Sequence, residues 1–179
     1  MIVEMKLRRL REAAAYSTLG KYSRDTGDLQ TRPPARQLRL VLGDEPFKPA
    51  GVQRGWDAHH IIPTGDRRAR VQRARSFRCR LHPNLAANGI YLRGPGLRKT
   101  RNGKETRAYR QLRESAPDLA QRTYHADTFQ NAYFDRLEQT IAVVPEYCKP
   151  ANRTAMLDSL AVAKTRLHAG NFGVERPGY

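Results

Sequence analysis

Residues 56–63 read Trp-Asp-Ala-His-His-Ile-Ile-Pro. The stretch is short and apolar at both ends, and Pro63 stops it, which predicts a strand over 56–62. Two imidazoles, His59 and His60, stand in its middle. Neighbours on a strand face opposite sides. A bulge or turn before Pro63 would let both reach one site, one holding a metal ion and the other acting as a base. Imidazole suits both tasks, because it titrates near neutral pH and ligates divalent ions when neutral. The plainer alternative is two unrelated polar residues, one outside and one in the core.

Working outward, Gly43 to Gly55 is a loop, and 36–42 (RQLRLVL) suits a short strand or a helical turn equally. Residues 3–22 predict a helix, broken by Asp25–Asp28 and by Thr31–Pro34. After Pro63, Thr64-Gly65-Asp66 turns into an Arg-rich helix over 67–78. Asn88-Gly89 opens a second strand over 88–92, ended by Gly94-Pro95-Gly96. A basic loop follows over 97–104, then a short helix over 106–114 closed by Pro117. The clearest helix is 127–142, where Phe129, Tyr133, Leu137 and Ile141 recur every four positions and Asp127 or Thr128 can cap the start. A last helix over 151–168 ends at Gly170. This order predicts an α+β fold, mostly helical, with very little sheet. The expected division is an N-terminal helical extension (1–50), a core (51–145) with a basic insertion at about 93–122, and a C-terminal helix and tail (146–179).

The 179 residues carry a formal charge of +16, and the excess is local. Residues 59–113 hold 15 basic and 2 acidic side chains, whereas 114–179 hold 7 basic and 8 acidic. Dense like charge repels itself unless an anion is near, and the arginine fork matches phosphate oxygens. Nucleic acid is therefore the expected partner; a solvated face or an acidic protein would fit the same charge. The candidates for phosphate contact are Arg67, Arg68, Arg70, Arg73 and Arg75, then Arg98, Lys99, Arg101 and Lys104.

No apolar run approaches the ~18–20 residues of a membrane span, so no membrane partner is expected. The first 20 residues lack an apolar signal core, which predicts no signal peptide. Cys79 and Cys148 are the two cysteines, too few for a zinc module. They can form one bridge or remain two thiols.

Strand with His-His, loop, strand opened by Asn-Gly, then a helix preceded by His125 is the layout of a ββα-metal site. Asp57-Ala58-His59-His60-Ile61-Ile62-Pro63 resembles the signature of the AHH nucleases, a branch of the HNH (His-Me finger) endonuclease superfamily. LHPNLAANGIYL (81–92) and TYHADTFQNAYFDRL (123–137) are similar to its second and third motifs. The resemblance covers roughly 54–142. It implies a small ββα-metal core with extra flanking helices and a metal-dependent endonuclease that cleaves DNA with little sequence preference. His60 would be the general base, His59 and His125 the metal ligands, and Asn88 would steady the loop or orient the base. Many HNH sites place Asp before the His pair and a second His one turn into the helix. Ala58 and Phe129 stand there, which leaves two protein ligands and favours Mg²⁺, with Mn²⁺ or Zn²⁺ as alternatives. A toxin role is implied by resemblance alone. With it comes an acidic neutralising (immunity) protein as partner. The missing signal core predicts a cytoplasmic location, or delivery into a target cell by a secretion system. Alternatives are RNA as substrate, a non-catalytic nucleic-acid-binding protein, or an adaptor docking through 1–50 and 143–179.

Of the remaining residues, His82 predicts a turn or cap, and His168 a partner for the C-terminal carbonyls of the last helix. Trp56 predicts core. Asp57 either orients a His or caps a turn.

Overall fold

A computed structural model describes residues 27, 29, 35–43, 55–97 and 105–172. The expected helix over 3–22 and the candidates Arg98, Lys99, Arg101 and Lys104 lie outside the described residues.

Two antiparallel strands form the centre. β1 (Trp56–His60) pairs with β2 (Gly89–Arg93) in the register Trp56↔Arg93 through His60↔Gly89. β1 ends at His60 rather than Ile62, because Asn88 captures the chain there. The Ile61 N–H bonds to the Asn88 carbonyl at 2.8 Å, and the Ile62 N–H bonds to Asn88 Oδ1 at 2.8 Å.

Each face of this hairpin covers its own core. Ile90 and Leu92 point into a cluster with Ile61, Tyr133, Leu137, Met156, Leu160 and Leu167. Trp56 and Tyr91 point into a second cluster with Leu38, Leu42, Leu97, Tyr109 and Leu112. The 36–42 alternative resolves as α1 (Ala35–Leu42). Leu38, Val41 and Leu42 are buried at helical spacing. Leu38 and Leu42 lie over Gly89, where an added Cβ would fall 2.8 Å from Leu38 Cδ1 and 2.9 Å from Leu42 Cδ2. Helix and strand therefore meet only because residue 89 has no side chain.

After β1, Asp66 caps a 3₁₀ turn (Arg67–Ala69) by accepting from the Arg68 N–H at 2.9 Å, and α2 (Arg70–Arg78) follows. Cys79, at its end, is joined to Cys148 with a Cα–Cα distance of 4.9 Å across 69 residues. Closing a loop of that length stabilises the fold by about 4 kcal/mol in the chain-entropy account. α3 (Arg107–Ser115) is capped by Thr106 Oγ1, which accepts from the Tyr109 N–H at 3.1 Å. Pro117 opens a further short helix, α4 (Pro117–Ala120).

The expected helix over 127–142 divides in two. A 3₁₀ segment (His125–Phe129) precedes α5 (Asn131–Thr140), with Gln130 extended between them. Asp127 and Thr128 are thus not the cap of α5; Thr128 Oγ1 donates back to the His125 carbonyl at 2.7 Å. Phe129 is 59% exposed and leaves the core stripe that Tyr133, Leu137 and Ile141 make. α6 (Pro150–His168) buries Met156, Leu160, Ala163 and Leu167, and Gly170 at φ +75° follows its end. The α+β expectation holds. Among the described residues no helix is long and apolar enough to cross a membrane.

Candidate active site

Strand parity sorts the signature residues. β1 pairs one-to-one with β2 as far as His60, with no bulge. Asp57 and His59 therefore share the face of Ile90 and Leu92, while Trp56, Ala58 and His60 share the face of Tyr91 and Gly89. The two imidazoles straddle the strand end instead of converging on one point.

His59 is 6% exposed. Its Nε2 lies 3.1 Å from the Tyr133 hydroxyl. Tyr133 has one proton, which it donates to the Ile61 carbonyl at 2.6 Å. Toward His59 the phenol oxygen can only accept, so Nε2 carries the hydrogen. Burial, and then the neighbouring His125 and His60, hold the His59 pKa well below its ordinary value. The ring is neutral, with its lone pair on Nδ1. Burial also pushes the Tyr133 phenol upward, so it keeps its proton.

His125 stands beside this ring, their centres 5.1 Å apart and planes 68° apart. Its Nδ1 lies 3.2 Å from Asp57 Oδ2. Asp57 thus orients a His, which settles the alternative left open in the sequence. With Nδ1–H directed at the carboxylate, the lone pair of a neutral His125 lies on Nε2. This is the usual second-partner pattern of metal-binding imidazoles.

The donor chemistry of the pair suits a divalent ion. Imidazole nitrogens hold such ions at about 2.0–2.1 Å, which puts two rings sharing one ion at a tetrahedral angle roughly 5 Å apart, centre to centre. Among the described residues, no group of three or more His, Cys, Asp or Glu side chains is placed to hold a metal. Water and phosphate oxygens would have to complete any coordination sphere.

On the other face, His60 Nε2 lies 2.7 Å from Asn84 Oδ1. That oxygen only accepts, so Nε2 is the donor and Nδ1 is the atom able to take a proton. Asn84 is buried, and its Nδ2 donates to Gln37 on α1 at 3.2 Å. Its own N–H bonds to His82 Nδ1 at 2.8 Å, so His82 serves the turn as expected. Asn88 holds backbone and not the base. Its Nδ2 donates to the Pro83 carbonyl at 2.8 Å and to the Ile62 carbonyl at 3.4 Å, while Oδ1 accepts from Ile62.

Sequence reading missed Tyr133 and Asn84 as parts of the site. Tyr133 lies in the third motif, but its place on the core stripe read as packing alone. Asn84 lies in the second motif, but sits 24 residues from its partner and nothing in the string pairs it with His60.

The described arginines separate by role. Arg67 and Arg70 are exposed. Arg68 bonds to Asp66 and Asn131 and lies over the Phe134 ring at 3.9 Å. Arg75 pairs with Glu138 at 2.8 Å. Arg73 corrects an expectation, because it is 5% exposed and turned inward. Its guanidinium donates to the carbonyls of Gly27, Pro63 and Asp66, each at 2.7 Å. Those oxygens take their donors from it, so this arginine braces the turn after β1 and is turned away from any phosphate at the surface.

A family model described as a nuclease family of the HNH/ENDO VII superfamily with conserved AHH matches residues 43–166, more than half of the chain. No curated protein and no solved structure matches.

Proposed function

Because the chain belongs to the AHH family of nucleases within the HNH/ENDO VII superfamily, we propose that it is a metal-dependent endonuclease that hydrolyses DNA phosphodiesters with little sequence preference. The observation that carries this is the division of labour at the end of β1. His59 is buried, neutral and tied to Tyr133, whereas His60 is partly exposed and tied to Asn84.

A strand laid across this end would have its scissile phosphate between the two faces. His60 Nδ1 takes a proton from a water, and the oxygen attacks phosphorus in line. The bond from phosphorus to the leaving oxygen breaks, and that oxygen is protonated from solvent. Asn84 keeps Nε2 as the donor, so Nδ1 is ready for the proton. Asn88 fixes the turn behind it. Arg67 and Arg70 hold neighbouring phosphates. His59 and His125 would hold the divalent ion, with Mg²⁺ favoured, and it would neutralise charge on the phosphate and leaving oxygens. The same reading makes the basic excess a handle for an acidic neutralising protein and a delivered toxin the setting.

The test is nicking of supercoiled plasmid by wild type and His60→Ala in EDTA, Mg²⁺, Mn²⁺ or Zn²⁺, with an RNA substrate in parallel. Loss of a base should slow cleavage by about 10²–10⁴-fold, with folding and DNA binding retained. Full cleavage by His60→Ala would overturn the role of His60, and cleavage undiminished by EDTA would overturn the metal. Cleavage of RNA alone would overturn the choice of DNA.

A further inference from the structure

Away from the strand end, a cleft of about 520 Å³ lies beside the Cys79–Cys148 bridge. Arg78, Arg80, Lys149 and Arg153 line it, with Glu146 as its one carboxylate. No ion pair engages any of these four cations among the described residues.

Arg80 holds φ +53°, the one non-glycine residue with positive φ among those described. It closes α2, because its N–H bonds to the Phe77 carbonyl and the Leu81 N–H to the Ser76 carbonyl, both at 2.9 Å, and it leaves the Arg80 side chain exposed at the cleft. The 19-residue α6 starts at the cleft with no acidic residue in its first turn, and Lys149 and Arg153 stand there instead. Cations oppose the positive end of a helix dipole. Arg78 Nε is buried with no hydrogen-bond partner. A phosphate chain in the cleft would neutralise the positive charge that gathers at this end of α6 without an ion-pair partner. Tyr147 adds a different kind of contact. It lines the same cleft and is 78% exposed, an aromatic face beside phosphate-binding groups.

We propose that this cleft is a second nucleic-acid site, binding the backbone of a single strand and stacking an unpaired base on Tyr147. A duplex would keep its bases stacked among themselves and leave the ring unused. α2 joins the turn after His60 to the cleft, and its 9 residues span about 13 Å. The cleft thus lies within a few nucleotides' reach of the strand end. The proposal rests on nucleic acid being the substrate.

The experiment uses the full chain in EDTA and a fluorescein-labelled 12-nucleotide oligo-dT, read by anisotropy across a salt series. Arg80→Gly combined with Lys149→Ser removes two cations, and glycine suits the backbone at 80, so melting temperature should hold or rise. Two lost contacts should reduce the salt slope by about 1.4. Tyr147→Ala should weaken oligo-dT binding about 10-fold while leaving competition by base-free polyphosphate unchanged. An unchanged slope in the double variant would overturn the site. Equal loss of oligo-dT and polyphosphate in Tyr147→Ala would overturn the stacking. If wild type cleaves nothing with any ion, the endonuclease reading fails, while the anisotropy still decides the cleft by itself.

Discussion

The two faces of the β1–β2 hairpin carry neighbouring histidines into opposite circumstances. On one face His59 is sealed against the α5–α6 core, between Tyr133 and His125. On the other, His60 is partly exposed and meets Asn84, which Gln37 on α1 holds in turn. One residue of offset along a strand separates a buried imidazole from a partly exposed one. The pair is informative because a strand places its members apart, whatever their closeness in sequence.

The comparison is sharpest if each face is disturbed through the residue that fixes its tautomer. Tyr133→Phe removes the acceptor for His59 Nε2–H and the donor to the Ile61 carbonyl. It should raise the ion concentration for half-maximal cleavage about 10–100-fold and cost about 1–3 kcal/mol of stability. Asn84→Ala should lower kcat instead, with the ion requirement nearly unchanged. Metal titrations of both variants decide the matter, and the same response from each would break the distinction between faces.

A second contrast lies among the arginines. Arg73→Met should destabilise the chain by about 2–3 kcal/mol, because it strips donors from buried carbonyls, and leave the salt dependence of DNA binding alone. Arg67→Ala should do the reverse, reducing the salt slope by about 0.9 with little change in denaturant midpoint. If Arg73→Met changed the slope and not the stability, its inward placement would be wrong.

The smallest effect is in pH. His168, half-buried near Arg122 and Lys164, is pushed down to about 4, chiefly by desolvation. His59 is shifted in the same direction. The unfolded chain then takes up these protons first, so stability is full above about pH 6.5 and falls on acidification toward pH 4. Melting temperatures in EDTA over that window should fall with acidification, and His168→Gln should flatten part of the slope. A slope of the opposite sign would contradict both shifts.

Much of this was legible in the sequence because local rules governed it. Trp-Asp-Ala-His-His and Gly-Ile-Tyr-Leu read as strands from their apolar and aromatic residues between Gly, Pro and Asn-Gly signals, although Asn88 and not Pro63 sets the end of the first. Leu137, Ile141 and the Leu160–Leu167 stripe follow helical period. The features left open or misplaced depended on partners distant in the chain. The 36–42 stretch became helix because Gly89, nearly 50 residues on, makes room for Leu38 and Leu42. Phe129 fits the stripe of α5, yet the extended Gln130 rotates it out. Arg73 reads as one more arginine in a basic run, and only the carbonyls of Gly27, Pro63 and Asp66 draw it inside. Asp57 was within reach, since residues 57 and 59 must share a face.

The disulfide divides the site in a way that bears on cutting the chain. The covalent loop from Cys79 to Cys148 encloses Asn84, Asn88 and His125, while Asp57, His59 and His60 lie before it. One backbone cleavage anywhere between 80 and 147 therefore yields two fragments that migrate together on a gel until reductant is added. A cut between β2 and His125 would leave the His-His hairpin on one fragment and the third histidine on the other. A single sulfur–sulfur bond would then be the one covalent tie between the two parts of the candidate site.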